Sequence, residues 1–386
     1  MKQQGYVRAH AGDAGNYLGQ HYFGVEKTAM EIPNVVVEVE EFDDVLEPAP
    51  DVLDGLYVSV NSAALDQKCG KFIVGTKAAE QEFAEEFAKG SQKYSSDQTF
   101  IQLVTASAVD AVQSGDFHEG SDGILHATYN LSTGLPVNEA KDKRRKEQFL
   151  HKLRNHYHIV QFFNANEQFD GKVVKIKYQR VLVNSEGNAA HVALSRDDDL
   201  KKRTDRPFTD DTYILNDLGG GTDDIGVIRD GRRVDSDLSQ SYDLGVSPEI
   251  DKIIDEVADK YGYRFTSRQA FTVCATKQNY EILINGVERV NIADIATKYL
   301  KPLARQVIRR LDGTWKRVPE AVAAAFVGGG SLLLRPYLEE INSGKRNLWF
   351  CDSPDEARWM MASAYEKLNR IYDQMIAQRE AATGKE

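Results

Sequence analysis

Asn216-Asp217-Leu218-Gly219-Gly220-Gly221-Thr222-Asp223-Asp224-Ile225-Gly226-Val227-Ile228 places three consecutive glycines and three carboxylates in the turn between two apolar runs. A tight hairpin needs only one or two glycines. Gly219, Gly220 and Gly221 let backbone N–H groups approach phosphate oxygens with no Cβ in the way. Thr222 adds a hydroxyl donor. Asp217 ends an apolar run, where a carboxylate holds Mg²⁺ through water, since magnesium keeps most of its hydration shell. The same residues also describe a glycine hairpin with exposed acids, and residue types alone leave both readings open.

Two further stretches have related chemistry. Asp13-Ala14-Gly15-Asn16 again sets an acid and a glycine just after an apolar run, although this is also ordinary turn chemistry. Gly328-Gly329-Gly330-Ser331 follows "AVAAAFV" and opens an apolar helical pattern, which suits a nucleotide-binding turn or a tight strand-to-helix connection. The chain contains neither G-x-x-x-x-G-K-[ST] nor a G-x-G-x-x-G that begins a strand-to-helix unit. Two acid-and-glycine hairpins, far apart in the chain and on separate lobes, would clamp a triphosphate from opposite sides, with the Gly-Gly-Gly-Ser turn under the nucleoside.

The remainder of the sequence must position these turns. Its 386 residues, 41% of them hydrophobic, are enough for two or three domains. A net charge of -11 argues against direct, non-specific nucleic-acid binding. Cys69, Cys274 and Cys351 are widely spaced and odd in number, which fits no disulfide framework or zinc site. "MKQQGYVRAHAGDAGNY" has no apolar signal region, and the apolar run at 321–327 is too short to cross a bilayer. The expectation is a cytoplasmic protein that does not engage membranes.

Strands are expected at "YVRAHA", "NVVVEVEEF", "LYVSV", "GKFIVG" and "GILHATYNLSTGLPV", and two more within "KVVKIKYQRVLVNSEG". Helices are expected at "AAEQEFAEEFAKG", "FIQLVTASAVDAVQ", "KDKRRKEQFLHKLRNHYHIV", "SPEIDKIIDEVADKYG", "IADIATKYLKPLARQVIRRLDG" and the final "SPDEARWMMASAYEKLNRIYDQMIAQRE". The basic cluster at 141–146 reads as a solvated helix face. Polar "RDDDLKKRTDRPFTDD" reads as the crossing between two lobes, 1–200 with 355–386 and 201–354. The strand-loop-strand opening followed by helices occurs from Tyr6 and again from Tyr213, as if duplicated.

With the two hairpins, "TGLPV" (133–137), Ser185-Glu186-Gly187, the Gly328-to-Ser331 turn, "FIVGTKAAEQ" and "YDLGVSPEIDKII" in this order, the chain resembles the actin superfamily of ATPases, most closely the plasmid-segregation actins of the ParM type. The resemblance implies an α/β actin-like ATPase fold: two lobes, each a mixed five-stranded sheet with helices, around a cleft for ATP or GTP and Mg²⁺. By this resemblance Asp13 and Asp217 organise Mg²⁺, and Asp217 and Glu186 are catalytic, Glu186 orienting the attacking water. Ala14, Gly15, Asn16, Gly219, Gly220, Gly221 and Thr222 hold phosphates, and Asp224 closes its hairpin. Gly328, Gly329, Gly330 and Ser331 lie beneath the adenosine, and Lys277 reaches the ribose or base. Gln20 stands where family members usually carry a phosphate-contacting lysine. The implied function is a homopolymeric filament that hydrolyses nucleotide after assembly and moves plasmid DNA through a DNA-binding adaptor on a centromere. Alternatives are a filament with another cargo (a prophage or a cell-shape role) and a monomeric phosphotransferase of the sugar-kinase kind.

Overall fold

Apolar alternation becomes strand nearly wherever the sequence carries it. The computed structural model describes residues 6–15, 17–42, 48–81 and 92–383; Asn16, and residues 82–90 of the acidic helix expected across 78–90, lie outside the described residues. The chain divides into two compact units, Met1–Lys201 with Met361–Glu386, and Lys202–Met360.

The first unit contains β1 (Val7–Ala14), β2 (Leu18–Phe23), β3 (Thr28–Pro33), β4 (Val36–Val39), β5 (Leu56–Asn61), β6 (Cys69–Val74), α1 (Thr76–Ala79), α2 (Asp97–Ser114), β7 (His118–Glu119), β8 (Leu125–Leu135), α3 (Val137–Ala140), α4 (Lys143–Arg154), β9 (Tyr157–Phe163), β10 (Val173–Ser185) and α5 (Glu186–Ser195). The second contains β11 (Tyr213–Leu218), β12 (Asp223–Arg229), β13 (Arg233–Tyr242), α6 (Ser247–Tyr261), α7 (Arg268–Lys277), β14 (Glu281–Ile284), β15 (Glu288–Asn291), α8 (Ala293–Arg317), β16 (Ala324–Val327), α9 (Gly329–Asn342) and β17 (Leu348–Phe350). The last helix, α10 (Pro354–Thr383), starts in the second unit and is counted with the first from Met361.

Strand order repeats between the units. The second has a five-stranded sheet, β13-β12-β11-β16-β17, and a separate β14-β15 pair. The first has the equivalent run β3-β2-β1-β8-β10, with the same alternation of antiparallel hairpin and parallel neighbours. Its sheet does not stop at five strands, however: it continues through β9, β5, β6 and β4, and β7 joins at β8, making ten. The reason lies in β10. The sequence suggests two strands there, but the segment is one strand of 13 residues with a register shift between Tyr178 and Arg180. Residues on its N-terminal side pair with β9 as well as β8, and β9 carries the extension.

Two helices also differ from expectation. The charged helix α4 ends at Arg154, because Tyr157-His158-Ile159-Val160 alternates between exposed and buried faces as β9. Helix α8 runs on through Pro302 and past Gly313, held by the buried residues Leu300, Leu303, Ala304, Val307, Leu311 and Trp315. Helix α2 is buried all round from 99 to 112 and packs on β1, β2, β8 and β10.

The core of the first unit contains a polar network. The buried guanidinium of Arg8 donates to both Asp110 oxygens (2.8 and 3.1 Å) and to Asp116 (2.8 Å), and pairs with Glu26. His10 shares hydrogen bonds with His21 (3.0 Å) and Ser107 (3.0 Å). His158 Nε2 lies 2.8 Å from Leu153 O, which can only accept, so Nε2 carries the proton and Nδ1 accepts from Ser62 Oγ (2.8 Å). Burial, with His21 adding to it, holds His10 well below its ordinary range; burial lowers His21 to about 3 and His158 to about 4.

These three histidines take up protons in the unfolded chain first. Their contribution to stability is complete above about pH 6.5 and is lost as pH falls from there. Asp13 and Asp223, both raised, bind protons in the folded chain first and act in the opposite sense. Replacing His158 by Asn is therefore expected to flatten the acid-side loss of stability by up to about 1.4 kcal/mol per pH unit between pH 5 and 6.5. Urea unfolding at pH 5, 5.75 and 6.5 checks this, whatever the absolute stability of the variant; equal slopes would refute it.

Candidate functional site

In the first unit, Asp13 comes at the end of β1, and its partner across the hairpin is Gln20 of β2, so the two side chains emerge on one face. Gln20 is buried, and its Nε2 donates to Glu31 Oε1 (2.9 Å). The turn between them is anchored by Asn34 Nδ2, which donates to Gly15 O (2.7 Å), while Ala14 is part of the core. Neither of the other bases near this hairpin is free for a ligand: Arg8 is held in its core network, and Lys27 pairs with Asp198 and Glu366.

Glu186 opens α5 directly after Ser185, whose strand partner is Leu135. An acid in the first turn is favoured by the helix dipole. Glu186 Oε1 accepts from Lys93 Nζ at 2.7 Å, and both side chains are largely buried. The backbone N–H groups of Lys93 and Tyr94 in turn donate to the carboxylate of Glu139 (3.0 and 2.9 Å). Glu139 sits on α3, which starts after Pro136 of the "TGLPV" segment. Burial raises the carboxyl of Asp13 to about 6; the Lys93 ammonium opposes the shift and Glu186 adds to it. Burial lowers Lys93, but Glu186 and Asp13 more than offset this and its value ends up raised. Asp13, Lys93, Glu139 and Glu186 thus form one electrostatic cluster. Sequence reading singles out Asp13 and Glu186 and misses Lys93 and Glu139, which lie in no glycine turn.

In the second unit, Asp217 and Asp224 face each other across the β11-β12 hairpin. Its four-residue loop is closed by the Gly219 N–H, which donates to Thr222 O (2.9 Å). Gly219 O and Gly220 O accept from Val246 and Ser247 at the start of α6 (3.2 and 2.9 Å). A Cβ on Gly245 would collide with Gly220 O, so this anchoring requires two backbones to touch. Thr222 Oγ1 donates to Asp224 Oδ2 (2.9 Å), which is how Asp224 closes the hairpin. Asp223 faces inward, as alternation along a strand requires. It is fully buried, accepts from Asn216 Nδ2 (2.6 Å) and lies 3.6 Å from Arg310; burial raises it to about 7. Asp223 thus serves the packing of the hairpin, unlike Asp217 on the opposite face.

The Gly-Gly-Gly-Ser turn stands beside Asp217. Strand β16 is parallel to β11 with Val327 opposite Asp217, and α9 starts two residues later. Gly328 has φ +81°, and a Cβ there would strike Asp217 Oδ1 and come within 2.7 Å of Leu218 O. A Cβ on Gly330 would also lie 2.8 Å from Leu218 O. Ser331 is buried and its hydroxyl donates to Gly328 O (2.7 Å), so it locks the turn from inside. Lys277 is exposed at the last residue of α7, a helix that packs against α9. Among the described residues, no three His, Cys, Asp or Glu side chains gather as a metal cage.

Gly328→Ala is expected to lower stability by about 1–3 kcal/mol from the left-handed backbone alone, and to displace the Asp217 carboxylate as well. Thermal unfolding checks this; an unchanged Tm would show that the turn relaxes without cost.

Residues 215–340 match the family model described as "Archaeal actin homologue MreB-like, C-terminal". No curated protein matches the sequence. Among solved structures, ParM of Bacillus thuringiensis with AMPPNP is 22% identical, covering 95% of this chain and 99% of that one, at a TM-score of 0.73; the same protein has been solved with ATP and with ADP. The actin-like protein Alp7A is 20% identical over 97% of this chain and 99% of its own, at 0.80. A non-polymerisable quadruple mutant of pCBH ParM is 17% identical over 95% and 99%, at 0.63. Strand order, hairpins and these matches over nearly the whole length agree that the chain has the fold of the actin-like ATPases.

Proposed function

We propose that the chain is an ATP-dependent, filament-forming actin-like protein of the ParM type that hydrolyses nucleotide after it assembles. The observation that carries this reading is the repeated device: a carboxylate-ended strand with an acid-and-glycine hairpin, built on the same strand order in each unit. In this reading Asp13 and Asp217 hold the waters of a Mg²⁺ ion, the manner of binding that magnesium prefers. The backbone at Ala14, Gly15 and Asn16 and at Gly219 to Thr222 holds phosphate oxygens, with Asp224 fixing the second loop through Thr222. Gly328 to Ser331 supply a flat backbone surface for the nucleoside, and Lys277 is the candidate for its ribose or base. Glu186 orients a water whose oxygen bonds to the terminal phosphorus. The bond from that phosphorus to its bridging oxygen breaks, giving a nucleoside diphosphate and orthophosphate, and the water proton leaves through the carboxylate or solvent.

Filament formation is supported by the fold shared with ParM proteins, one of which was solved as a non-polymerisable quadruple mutant. A head-to-tail contact that does not close on itself produces an open helix. Plasmid segregation is the cargo this reading favours, with a DNA-binding adaptor making the centromere contact, in keeping with a net charge of -11. Ultracentrifuge pelleting tests the reading: protein is expected in the pellet with Mg²⁺ and ATP or AMPPNP, and in the supernatant without nucleotide. Protein that stays in the supernatant in every condition would overturn it.

A further inference from the structure

Lys93 lies outside every glycine turn, yet it is a buried cation amid three carboxylates, Asp13, Glu139 and Glu186. Burying an ammonium is costly unless it is paired, and here Glu186 pairs it. Its position is fixed from two sides. Glu139 grips the backbone N–H of both Lys93 and Tyr94, and Nζ donates to Glu186 Oε1 at 2.7 Å. An ammonium has three donors, and the bond to Glu186 uses one of them.

On the opposite strand of the hairpin, Gln20, the strand partner of Asp13, carries no charge and is turned to Glu31. Arg8 and Lys27 are engaged elsewhere. Among the described residues, Lys93 is the base whose charge favours the ionised form of Asp13, against the effect of burial.

We propose that Lys93 binds the terminal phosphate of a nucleoside triphosphate while it holds Glu186, so that one side chain both supplies the positive charge missing at Gln20 and positions the water-orienting carboxylate. This rests on the nucleotide-binding reading above and adds a residue to it. The ammonium discriminates between triphosphate and diphosphate, because only the triphosphate carries the group it touches. Glu139 acts through Lys93, by fixing the backbone from which the side chain reaches inward.

The test compares AMPPNP and ADP affinity, each with Mg²⁺, for the parent and for Lys93→Met, which keeps the apolar stem and removes the charge. Loss of a hydrogen-bonded charge is expected to raise the Kd for AMPPNP on the order of 30-fold. The Kd for ADP is expected to change by no more than about threefold. Equal weakening of both nucleotides, or no weakening, would overturn the proposal and leave Lys93 a structural residue. Should Lys93→Met fail to fold, Lys93→Gln keeps a donor without the charge and is read the same way. If the parent binds neither nucleotide, the nucleotide reading itself fails, an outcome distinct from equal weakening in the variant.

Discussion

Glu186→Ala is expected to release phosphate about 10²–10⁴-fold more slowly than the parent while it still binds nucleotide and assembles, so that its polymers persist long after the parent's have gone. The carboxylate opens a helix and is held by Lys93 at 2.7 Å, the fixed position from which it is proposed to orient a water. Its removal leaves both glycine hairpins and their anchors untouched, since those rest on Asn34, Val246 and Ser247. Phosphate release measured beside pelleting at early and late times separates the two effects. Polymers that turn over at the parental rate would remove Glu186 from the reaction, and loss of all assembly would give it a structural role instead.

Asp217→Ala is the second large effect. Asp217 shares the hairpin face with Asp224, and Gly328 is without a side chain where a Cβ would strike the Asp217 carboxylate. The carboxylate therefore packs against a backbone that only glycine allows, beside the loop proposed to hold phosphates. Removing it is expected to cost about 2–3 kcal/mol of Mg²⁺-dependent nucleotide binding, on the order of 30–150-fold in Kd, while binding measured in EDTA changes little. Isothermal titration with and without Mg²⁺ checks this. An equal loss in both conditions would mean that Asp217 supports the loop and not the ion. Asp223→Asn provides the contrast: its carboxylate is packed inward against Asn216 and Arg310, so its loss should register in Tm and not in the Mg²⁺ dependence.

The duplicated architecture was legible because it rests on local patterning. Alternating apolar residues mark β1, β5, β6, β8, β11 and β12, and glycine with aspartate marks the turns that follow β1 and β11. What stayed hidden depends on partners distant in sequence. Whether 173–185 is one strand or two is decided by β9 and β8, which both pair with it, and that pairing extends the first sheet to ten strands. The run of α8 past Gly313 is decided by buried contacts on either side of the glycine, which outweigh its weak helix propensity.

The same division holds at the site. Asp13, Asp217 and the glycines are visible because close backbone approach demands glycine. Lys93 and Glu139 are visible only once folding brings residues 93, 139 and 186 together, and in sequence they are an ordinary lysine and an ordinary glutamate. The roles of Asp223 and Asp224, adjacent in sequence, separate only when the strand directs one inward and the other toward Thr222. Ser331 likewise reads as a candidate ligand contact, and the structure commits its hydroxyl to the turn.

In the proposed function, cleavage of a bound triphosphate controls the association of one copy with the next. Right-angle light scattering and phosphate release, followed together on one sample after Mg²⁺ and ATP are added, test it most directly. Scattering should rise first and then decline as phosphate accumulates, and with AMPPNP it should rise and stay high. Steady phosphate release with flat scattering, or scattering indifferent to nucleotide, would contradict the account.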